Sequence, residues 1–271
     1  MILNPTPKIN LGLDILRRRA DGFHDIDTLM LPFGGVSDTI EILPTTTAGV
    51  TLEVEGLTID CASDRNLVVR AWMLMHQHYG VGGVHIAMRK NIPFGAGLGG
   101  GSADAAATLV GLNEVFSLGL SSEELVALAA RLGSDVPFFI CPQPTFCRGR
   151  GEILEPAEID FSGVWCVVTK PVFGISTAEA YAGVTPHEPS MPLAERLQLP
   201  RTKWQEAIVN DFEKSLFANH LPLVNIKRRL LQSGAFYASM SGSGSAMYGL
   251  YDHRPTYEPL YTEEQVFVAQ L

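Results

Sequence analysis

The most informative stretch of the sequence is a run of glycines from Gly95 to Gly101, followed by an alanine-rich segment. Glycines let backbone N–H groups approach a ligand because no Cβ is in the way. The segment from Ser102 to Phe116 is predicted to be a helix, whose N-terminus offers unsatisfied N–H groups and the positive end of its dipole. Together these features predict a site for a di- or triphosphate.

Other glycine motifs fit this run less well. A Walker A loop needs a lysine before its serine or threonine, and here Ser102 follows Gly101 directly. The pattern beginning at Gly95 matches the dinucleotide fingerprint, but Arg89–Pro93 separate it from the preceding strand, and the acidic candidate Glu114 lies inside a helical pattern. The His-Arg-Asp and Asp-Phe-Gly elements of protein kinases do not follow. A purely structural glycine turn rarely needs so many glycines beside a helix start, so the phosphate interpretation is favoured.

Both strands and helices are predicted around this loop. Apolar residues from Ile9 to Ile15 alternate with polar ones, which predicts a strand with Lys8 and Asn10 on one face. Further strands are predicted at Ile26–Leu31, Thr39–Leu43, Thr51–Val54, Val84–Met88, Trp165–Thr169, Phe236–Met240 and Ala246–Leu250. Besides Ser102–Phe116, helices are predicted at Asn66–Tyr79 and Leu223–Gln232. Another helix is predicted to begin at a capping box, formed by Ser121 and Glu124, and to end at Gly133. Ser134–Pro137 is predicted to be the entry to one more helical turn. Because strands and helices do not strictly alternate, an α+β fold is favoured over a doubly wound sheet.

Composition bounds the class of protein. With 271 residues, 46% of them hydrophobic, the chain suits two domains, and Arg148–Gly151 is the best candidate for a boundary, which predicts domains 1–150 and 151–271. The net charge of −9 argues against a nucleic-acid partner. No apolar run approaches the ~20 residues of a membrane span, and no signal peptide is apparent. A cytoplasmic protein is therefore expected, with four free thiols in a reducing compartment: Cys61, Cys141, Cys147 and Cys166.

The glycine run, read from Pro93 to Ser102 with the Ala-x-Ala-Ala that follows, resembles the second motif of the GHMP kinases. Three further stretches narrow the resemblance to the branch that phosphorylates 4-diphosphocytidyl-2-C-methyl-D-erythritol in the non-mevalonate isoprenoid pathway: Pro7–Leu11, Arg19–His24 and Leu132–Phe139. Ser241–Ser245, rich in glycine and serine, is similar to the third motif of the superfamily. The resemblance spans the chain and is strongest from residue 7 to 140.

The resemblance implies an N-terminal domain like ribosomal protein S5 domain 2 and a ferredoxin-like C-terminal domain. It implies transfer of the γ-phosphate of ATP to the 2-hydroxyl of the methylerythritol unit, with Mg²⁺ as cofactor. The substrate is expected to be a small molecule carrying a cytidine diphosphate group, and either a monomer or a homodimer is open. In this family a helix usually precedes the final strand, but Tyr251–Thr262 contains two prolines and no convincing helix.

The resemblance also implies that Asp135 is the catalytic base and Lys8 its charged partner. A carboxylate near the hydroxyl proton assists a poor nucleophile, and a lysine beside it offsets developing negative charge. Without the family, Asp135 would be interpreted as a helix N-cap, and Lys8 as a surface residue on the polar face of a strand. The co-occurrence of all the motifs favours the catalytic interpretation of both.

The binding residues follow from the same resemblance. The loop and its flanks are expected to bind ATP: Pro93, Phe94, Gly95, Ala96, Gly97, Leu98, Gly99, Gly100, Gly101, Ser102, Ala103, Asn66 and Lys90. For the substrate, His24 is expected to hydrogen-bond the base, with Phe23 stacking on one side and Tyr181 on the other. Asn10, Gly242 and Ser243 complete the substrate set, and Ser102 is the candidate Mg²⁺ ligand. A solvated surface residue is an alternative for Lys90, and ordinary packing for Tyr181. Asp104, where some members carry Asn, would hold Mg²⁺ or favour the helix N-terminus.

Three rival functions stay open at the level of sequence. Another GHMP kinase, acting on homoserine, mevalonate or a sugar, is disfavoured because Phe23 and His24 suit a nucleobase. A catalytically silent nucleotide sensor of the same fold is disfavoured because Lys8 and Asp135 are both present. An RNA-binding protein of related fold conflicts with the net negative charge.

Overall fold

The computed structural model describes residues 1–57 and 65–271. The described residues form two compact units whose segments interleave along the chain. The first unit comprises Met1–Pro7, Val36–Phe94 and Gly99–Pro142, and the second comprises Lys8–Gly35, Gly95–Leu98 and Gln143–Leu271.

In chain order, the described strands are β1 (Ile2–Leu3), β2 (Lys8–Arg18), β3 (His24–Pro32), β4 (Thr39–Thr45), β5 (Val50–Gly56), β6 (Gly83–Lys90), β7 (Thr145–Gly149), β8 (Ile153–Pro156), β9 (Trp165–Lys170), β10 (Tyr237–Met240), β11 (Met247–Tyr251) and β12 (Gln265–Gln270). The described helices are α1 (Leu67–Tyr79), α2 (Gly100–Val115), α3 (Ser122–Ala129), α4 (Thr177–Ala182), α5 (Leu193–Arg196), α6 (Arg201–Ala207), α7 (Asp211–Asn219) and α8 (Leu221–Gln232), with a 3₁₀ helix at Val136–Ile140.

The first unit is a sheet of order β1-β4-β6-β5 packed against helices. The β5–β6 pair is parallel and the others are antiparallel. Helix α2 lies against β4, α1 and the 3₁₀ helix. Its buried side is made of small residues such as Ala103, Ala105 and Ala106, which is why this helix carries so many alanines. The strands and helices predicted for this unit are confirmed, with ends shifted by a few residues.

Two helix ends in the first unit differ from the prediction. Helix α3 has the predicted capping box but ends at Ala129 instead of Gly133, because Leu132 N and Gly133 N both donate to Ala129 O and tighten the chain into turns. Helix α2 begins at Gly100, and its N-cap is Gly99, which has a φ of 71°. Ser102 therefore lies inside the first turn and is not the cap.

The second unit contains two antiparallel sheets, of order β2-β3-β7-β8 and β10-β11-β9-β12. Its core brings together residues of both sheets and of α7 and α8, among them Leu13, Ile26, Val167, Leu216 and Leu230. The first eight residues of β2 are buried. The alternation in β2 therefore correctly predicts which side chains share a face. It does not predict that both faces of the strand are covered by other parts of the unit. The mixed α+β class is confirmed.

The C-terminal end of the chain completes the second sheet. Strand β12 pairs with β9 over its six residues. The segment before it contains no helix within the described residues, as predicted from its prolines. The Arg148–Gly151 segment covers the end of β7 and the start of the turn to its partner β8, both in the second unit. The predicted division into 1–150 and 151–271 stays a prediction.

Three of the four predicted thiols lie within the described residues. Cys141 and Cys166 form no disulfide, and burial raises the pKa of the Cys166 thiol. Cys147 donates to Thr145 O at 3.5 Å. Cys61 lies outside the described residues, so its redox state stays a prediction.

Substitution of Gly12 tests how much the close packing around strand β2 contributes to stability. It has a φ of +70° at a bulge, where the pairing register shifts between Leu11 and Leu13. A Cβ added there would lie 2.6 Å from Leu193 Cδ1 and 3.0 Å from Ile208 Cγ2. We expect Gly12→Ala to lower the free energy of unfolding by about 2–4 kcal/mol, through backbone strain and overpacking. Urea denaturation measures this loss.

The matched control is Gly22→Ala. Gly22 also has a positive φ, +88°, but an added Cβ would meet nothing within 4 Å. The control therefore reports backbone strain alone, about 1 kcal/mol. Equal losses in the two variants would mean that contacts with Leu193 and Ile208 contribute nothing.

Candidate active site

The start of helix α2 has no side-chain cap. Its N-cap, Gly99, makes no side-chain capping hydrogen bond, so no side chain of the described residues serves the usual N-cap role. Gly95, Gly97 and Gly99 all have φ near +60° to +70°, a region that side-chain-bearing residues rarely adopt. The segment Gly95–Leu98 belongs to the second unit and α2 to the first. The glycines are thus required by the backbone itself, which is the arrangement expected of a phosphate-binding loop.

Lys8 is buried at the start of β2, with 3% of its surface exposed. Its Nζ donates to Asn10 Oδ1 and, at 3.0 Å, to Gly97 O. Asn10 Nδ2 in turn donates to Thr28 Oγ1 at 3.1 Å. The predicted shared face of Lys8 and Asn10 is therefore real, and it turns inward. A buried ammonium needs such partners because desolvation of a charge is costly.

The loop between β10 and β11 packs against the glycine segment within the second unit. Ser241 Oγ donates to Gly97 O at 3.0 Å, and Ala246 N donates to Ala96 O at 3.1 Å. A Cβ on Gly97 would lie 2.0 Å from Ser241 O, so only glycine fits there. Two glycine-rich motifs that are far apart in sequence thus contact each other directly.

Gly242 lies beside the polar pair of β2. A Cβ built on Gly242 would be 3.2 Å from Asn10 Oδ1 and 3.3 Å from Lys8 Nζ. The predicted residues Lys8, Asn10, Gly97 and Gly242 therefore converge in one place. Ser243 lies next to Gly242 in the same loop, and its predicted contact with substrate stays a prediction.

Lys90 in the first unit is buried and ion-paired. Its Nζ contacts Asp38 Oδ2 and, at 2.6 Å, Asp104 Oδ2, and all three residues are almost fully buried. Burial is the main cause that raises the pKa of Asp104 to about 7, while the charge of Lys90 opposes it. The surface alternative for Lys90 is wrong. Its role in nucleotide binding stays a prediction, and Asp104 is placed as a partner of Lys90.

Asp38 is a residue that the sequence analysis missed. Its Oδ1 accepts hydrogen bonds from Asn91 N at 2.6 Å and Ile92 N at 2.8 Å, directly before the glycine run. Through Lys90 it also connects to Asp104 in helix α2. Asp38 thus fixes the chain just before the glycine run, and its place just before the predicted strand Thr39–Leu43 gave no signal of this.

Asp135 and Asn66 occupy helix starts in the first unit. Asp135 is half-buried and precedes the 3₁₀ helix, but its carboxylate makes no capping hydrogen bond with that helix. Asp135 is therefore the N-cap residue by position, as predicted, but its side chain does not bond that helix. Asn66 does cap α1, because its Oδ1 accepts from Val68 N at 2.9 Å. The predicted ATP contact of Asn66 stays a prediction.

The predicted base-binding residues lie in the second unit, at the end of the β2–β3 hairpin opposite to Lys8. The rings of His24 and Tyr181 stack on each other, with centroids 4.6 Å apart and planes 21° apart. The Phe23 side chain is 50% exposed, and the Arg150 guanidinium lies 4.9 Å from its ring centroid. Burial, and to a lesser extent the charge of Arg18, lowers the pKa of His24, so its imidazole is neutral at pH 7. Neutral imidazole can both donate and accept a hydrogen bond.

Within residues 1–57 and 65–271, no helix is both long enough and apolar enough to cross a membrane. No group of three or more His, Cys, Asp or Glu side chains there is arranged to hold a metal ion.

Two family models match the chain. The model of the GHMP kinases N terminal domain matches residues 66–143, and the model of the GHMP kinases C terminal matches residues 194–260. The first match contains the glycine run and Asp135, and the second contains the loop at Gly242. Homoserine kinase from Cytophaga hutchinsonii, 13% identical with a TM-score of 0.66 over 97% of this chain and 94% of its own, shares the fold.

Individual relatives narrow the family. The 4-diphosphocytidyl-2-C-methyl-D-erythritol kinase of Azobacteroides pseudotrichonymphae is 43% identical over 97% of each chain, and that of Parabacteroides distasonis is 40% identical over 98% of this chain and 96% of its own. A crystal structure of 4-(cytidine 5'-diphospho)-2C-methyl-D-erythritol kinase has a TM-score of 0.78 and 34% identity, covering 94% of this chain and 91% of its own. The chain therefore belongs to the GHMP kinases and, within them, to the 4-diphosphocytidyl-2-C-methyl-D-erythritol kinase family. As a kinase it uses ATP as co-substrate, and the predicted fold is confirmed.

The Lys90 cluster leads to a stability prediction. Lys90→Met leaves Asp38 and Asp104 buried without their cation, so we expect the free energy of unfolding to fall by about 3–5 kcal/mol in urea denaturation. Lys203→Met is the matched control, because the ion pair of Lys203 with Glu206 is exposed. A loss no larger than that of the control would show that the buried cluster does not stabilise the first unit.

Proposed function

We propose that this chain transfers the γ-phosphate of ATP to the 2-hydroxyl of 4-diphosphocytidyl-2-C-methyl-D-erythritol, giving the 2-phosphate and ADP in non-mevalonate isoprenoid biosynthesis. The observation that carries the proposal is the near full-length identity of about 40% with kinases named for this substrate. The convergence of Lys8, Asn10, Gly97 and Gly242 supports it independently. We further propose that the enzyme acts in the cytoplasm.

The glycine run binds the phosphates of ATP in this proposal. Backbone N–H groups of Gly95–Gly101 and the first turn of α2 face the phosphate oxygens, where the helix dipole favours negative charge. Mg²⁺ in kinases is held mainly by phosphate oxygens and water with one or two protein ligands, so the absence of a dedicated acidic cluster among the described residues is compatible with it. Ser102, in the first turn of α2, would hold the ion, and the ion would neutralise phosphate charge.

Asp135 and Lys8 perform the proton and charge chemistry in this proposal. Asp135 accepts the proton of the 2-hydroxyl as its oxygen bonds to phosphorus. Lys8 stabilises the negative charge that develops. The hydrogen bonds of its ammonium to Asn10 and Gly97 O fix the position of that charge before the substrate arrives.

The cytidine end of the substrate binds at the far end of the β2–β3 hairpin in this proposal. Phe23 offers an exposed ring for stacking, and the Arg150 guanidinium lies over that ring. The base either displaces the guanidinium from the ring or stacks on the opposite face of the ring. Neutral His24 hydrogen-bonds the edge of the base, and its ring is held by the stacked Tyr181. Placing the base and the reacting hydroxyl at opposite ends of the hairpin suits an elongated substrate.

Removal of the base tests the reaction. We expect Asp135→Ala to lower kcat about 10²–10⁴-fold, since this is the usual contribution of a general base, while the Kd of ATP changes little. ADP release with Mg-ATP and the cytidyl substrate measures kcat, and calorimetry measures the Kd.

The control for this experiment is Asp160→Ala, because Asp160 is an exposed aspartate that accepts a local hydrogen bond from Ser162 N. Wild-type turnover that Asp135→Ala retains in full would remove Asp135 from the mechanism. No turnover by folded, ATP-binding wild type would refute the proposed function.

Removal of the imidazole tests the base pocket. We expect His24→Ala to raise KM for the cytidyl substrate about tenfold, because a buried hydrogen bond to the base and the stack on Tyr181 are lost. The wild-type KM should stay level near neutral pH and rise as the pH falls through the lowered pKa of His24, because imidazolium cannot accept a hydrogen bond. His253→Ala, at an exposed position, is the control, and an unaltered KM in His24→Ala contradicts the pocket.

A further inference from the structure

Asn210 is a buried asparagine whose side chain makes three hydrogen bonds. It is the N-cap of α7, and its Oδ1 accepts from Phe212 N at 3.0 Å. Its Nδ2 donates to Met240 O at 2.8 Å and to Gly242 O at 2.9 Å. Only 2% of Asn210 is exposed. The amide therefore uses its acceptor for the helix and both of its donor hydrogens for the loop between β10 and β11.

Glu213, one turn further along α7, holds the same stretch of backbone. Its Oε1 accepts from Met240 N and Ser239 Oγ, at 2.8 and 2.9 Å. Its Oε2 accepts from Lys227, which keeps the charge paired. The first turn of α7 thus binds both the N–H and the C=O of Met240, together with the carbonyl of Gly242. Because these hydrogen bonds hold both sides of the backbone at Met240, the loop can neither shift nor rotate there without breaking them.

The loop that Asn210 holds is the one beside the reacting groups. Gly242 lies against Asn10 Oδ1 and Lys8 Nζ, and Ser241 Oγ donates to Gly97 O. Lys8 donates to the same Gly97 O at 3.0 Å. A displacement of Gly242 would therefore alter the surroundings of Lys8 and the support of the glycine run. Asn210 acts on these groups through the loop, by binding Met240 O and Gly242 O.

We propose that Asn210 is a positioning residue for phosphoryl transfer, which sets Gly242 against Lys8 and Asn10 by binding two backbone carbonyls of the loop. The inference rests on the proposed function for its kinetic consequence. Asparagine suits the position because its amide supplies two donors and one acceptor at once. Aspartate keeps the acceptor that caps α7 but turns a repelling oxygen toward the two carbonyls.

That difference makes Asn210→Asp the decisive variant, because the helix cap survives and only the hold on the loop is lost. We expect kcat to fall about 10- to 100-fold, since small displacements of reacting groups cost rates of this order, with KM for ATP changed less than about threefold. Protonation gives the introduced carboxylate one donor, so kcat relative to wild type should rise as the pH falls. A role confined to folding would lower stability without this pH signature.

The matched control is Asn113→Asp. Asn113 Nδ2 donates to Leu120 O at 3.2 Å and its Oδ1 accepts from Leu120 N at 2.9 Å, so it also bonds backbone of a loop, in the first unit. We expect its kcat and pH profile to match those of wild type. A similar loss of kcat in both variants would overturn the assignment to Asn210.

A second measurement needs no substrate. Amide hydrogen exchange, followed by mass spectrometry on the peptide that spans Met240–Ala246, should be faster in Asn210→Asp than in wild type and unchanged in Asn113→Asp. Unchanged exchange in Asn210→Asp overturns the inference whatever the activity. Wild type that releases no ADP, with exchange accelerated in Asn210→Asp, refutes the proposed function and leaves the hold on the loop supported.

Discussion

The carbonyl oxygen of Gly97 accepts hydrogen bonds from Lys8 Nζ and from Ser241 Oγ, both at 3.0 Å. This single acceptor connects the first strand of the second unit, the glycine run and the loop between β10 and β11. The contact demands glycine, because Gly97 has a φ of +71° and a Cβ there would overlap Ser241 O. It also satisfies a buried ammonium, whose desolvation would otherwise be prohibitive. The position of the buried Lys8 ammonium thus depends on a backbone geometry that only glycine permits.

Buried cations recur in this acidic chain, and the structure satisfies them in different ways. Lys90 lies between the carboxylates of Asp38 and Asp104. Lys170 has two carbonyl partners, Pro171 O at 2.6 Å and Phe173 O at 2.7 Å, and burial lowers its pKa. In each case the ammonium fixes backbone or side chains next to a loop. Net charge therefore says little about the local potential at the places where phosphate is proposed to bind.

Local sequence patterns predicted the local structure well. The alternation in β2, the capping box at Ser121 and the glycine run each depend on neighbours a few residues apart, and each is found. The predicted end of α3 was wrong because the chain after Ala129 forms turns, whose hydrogen bonds resemble those of a helix. Periodicity also gave the shared face of Lys8 and Asn10 but not its burial, because coverage of a face depends on the rest of the fold.

Long-range contacts could not be predicted in this way. Asp38 binds Lys90 across 52 residues of sequence, and Asn210 binds Gly242 across 32, with no repeat or spacing to mark either pair. Stacking of Tyr181 on His24 is likewise a product of the fold, and the family resemblance had implied only that Tyr181 lies across the base. The roles of His24 and Tyr181 in binding were available only through the family resemblance, and they stay predictions.

Asp38 and Asn210 both hold the backbone of a glycine-rich segment in place. A loop rich in glycine gains close approach to a ligand, but it loses more conformational entropy on folding than other sequences do. Asp38 binds two N–H groups just before the glycine run, and Asn210 binds two carbonyls of the loop at Gly242. Each is a short, buried side chain with few rotamers, so it holds backbone at small entropic cost. Glycine supplies the shape of these loops and a buried polar residue outside them supplies their order, which is why the supports carry no glycine signature and lie far away in sequence.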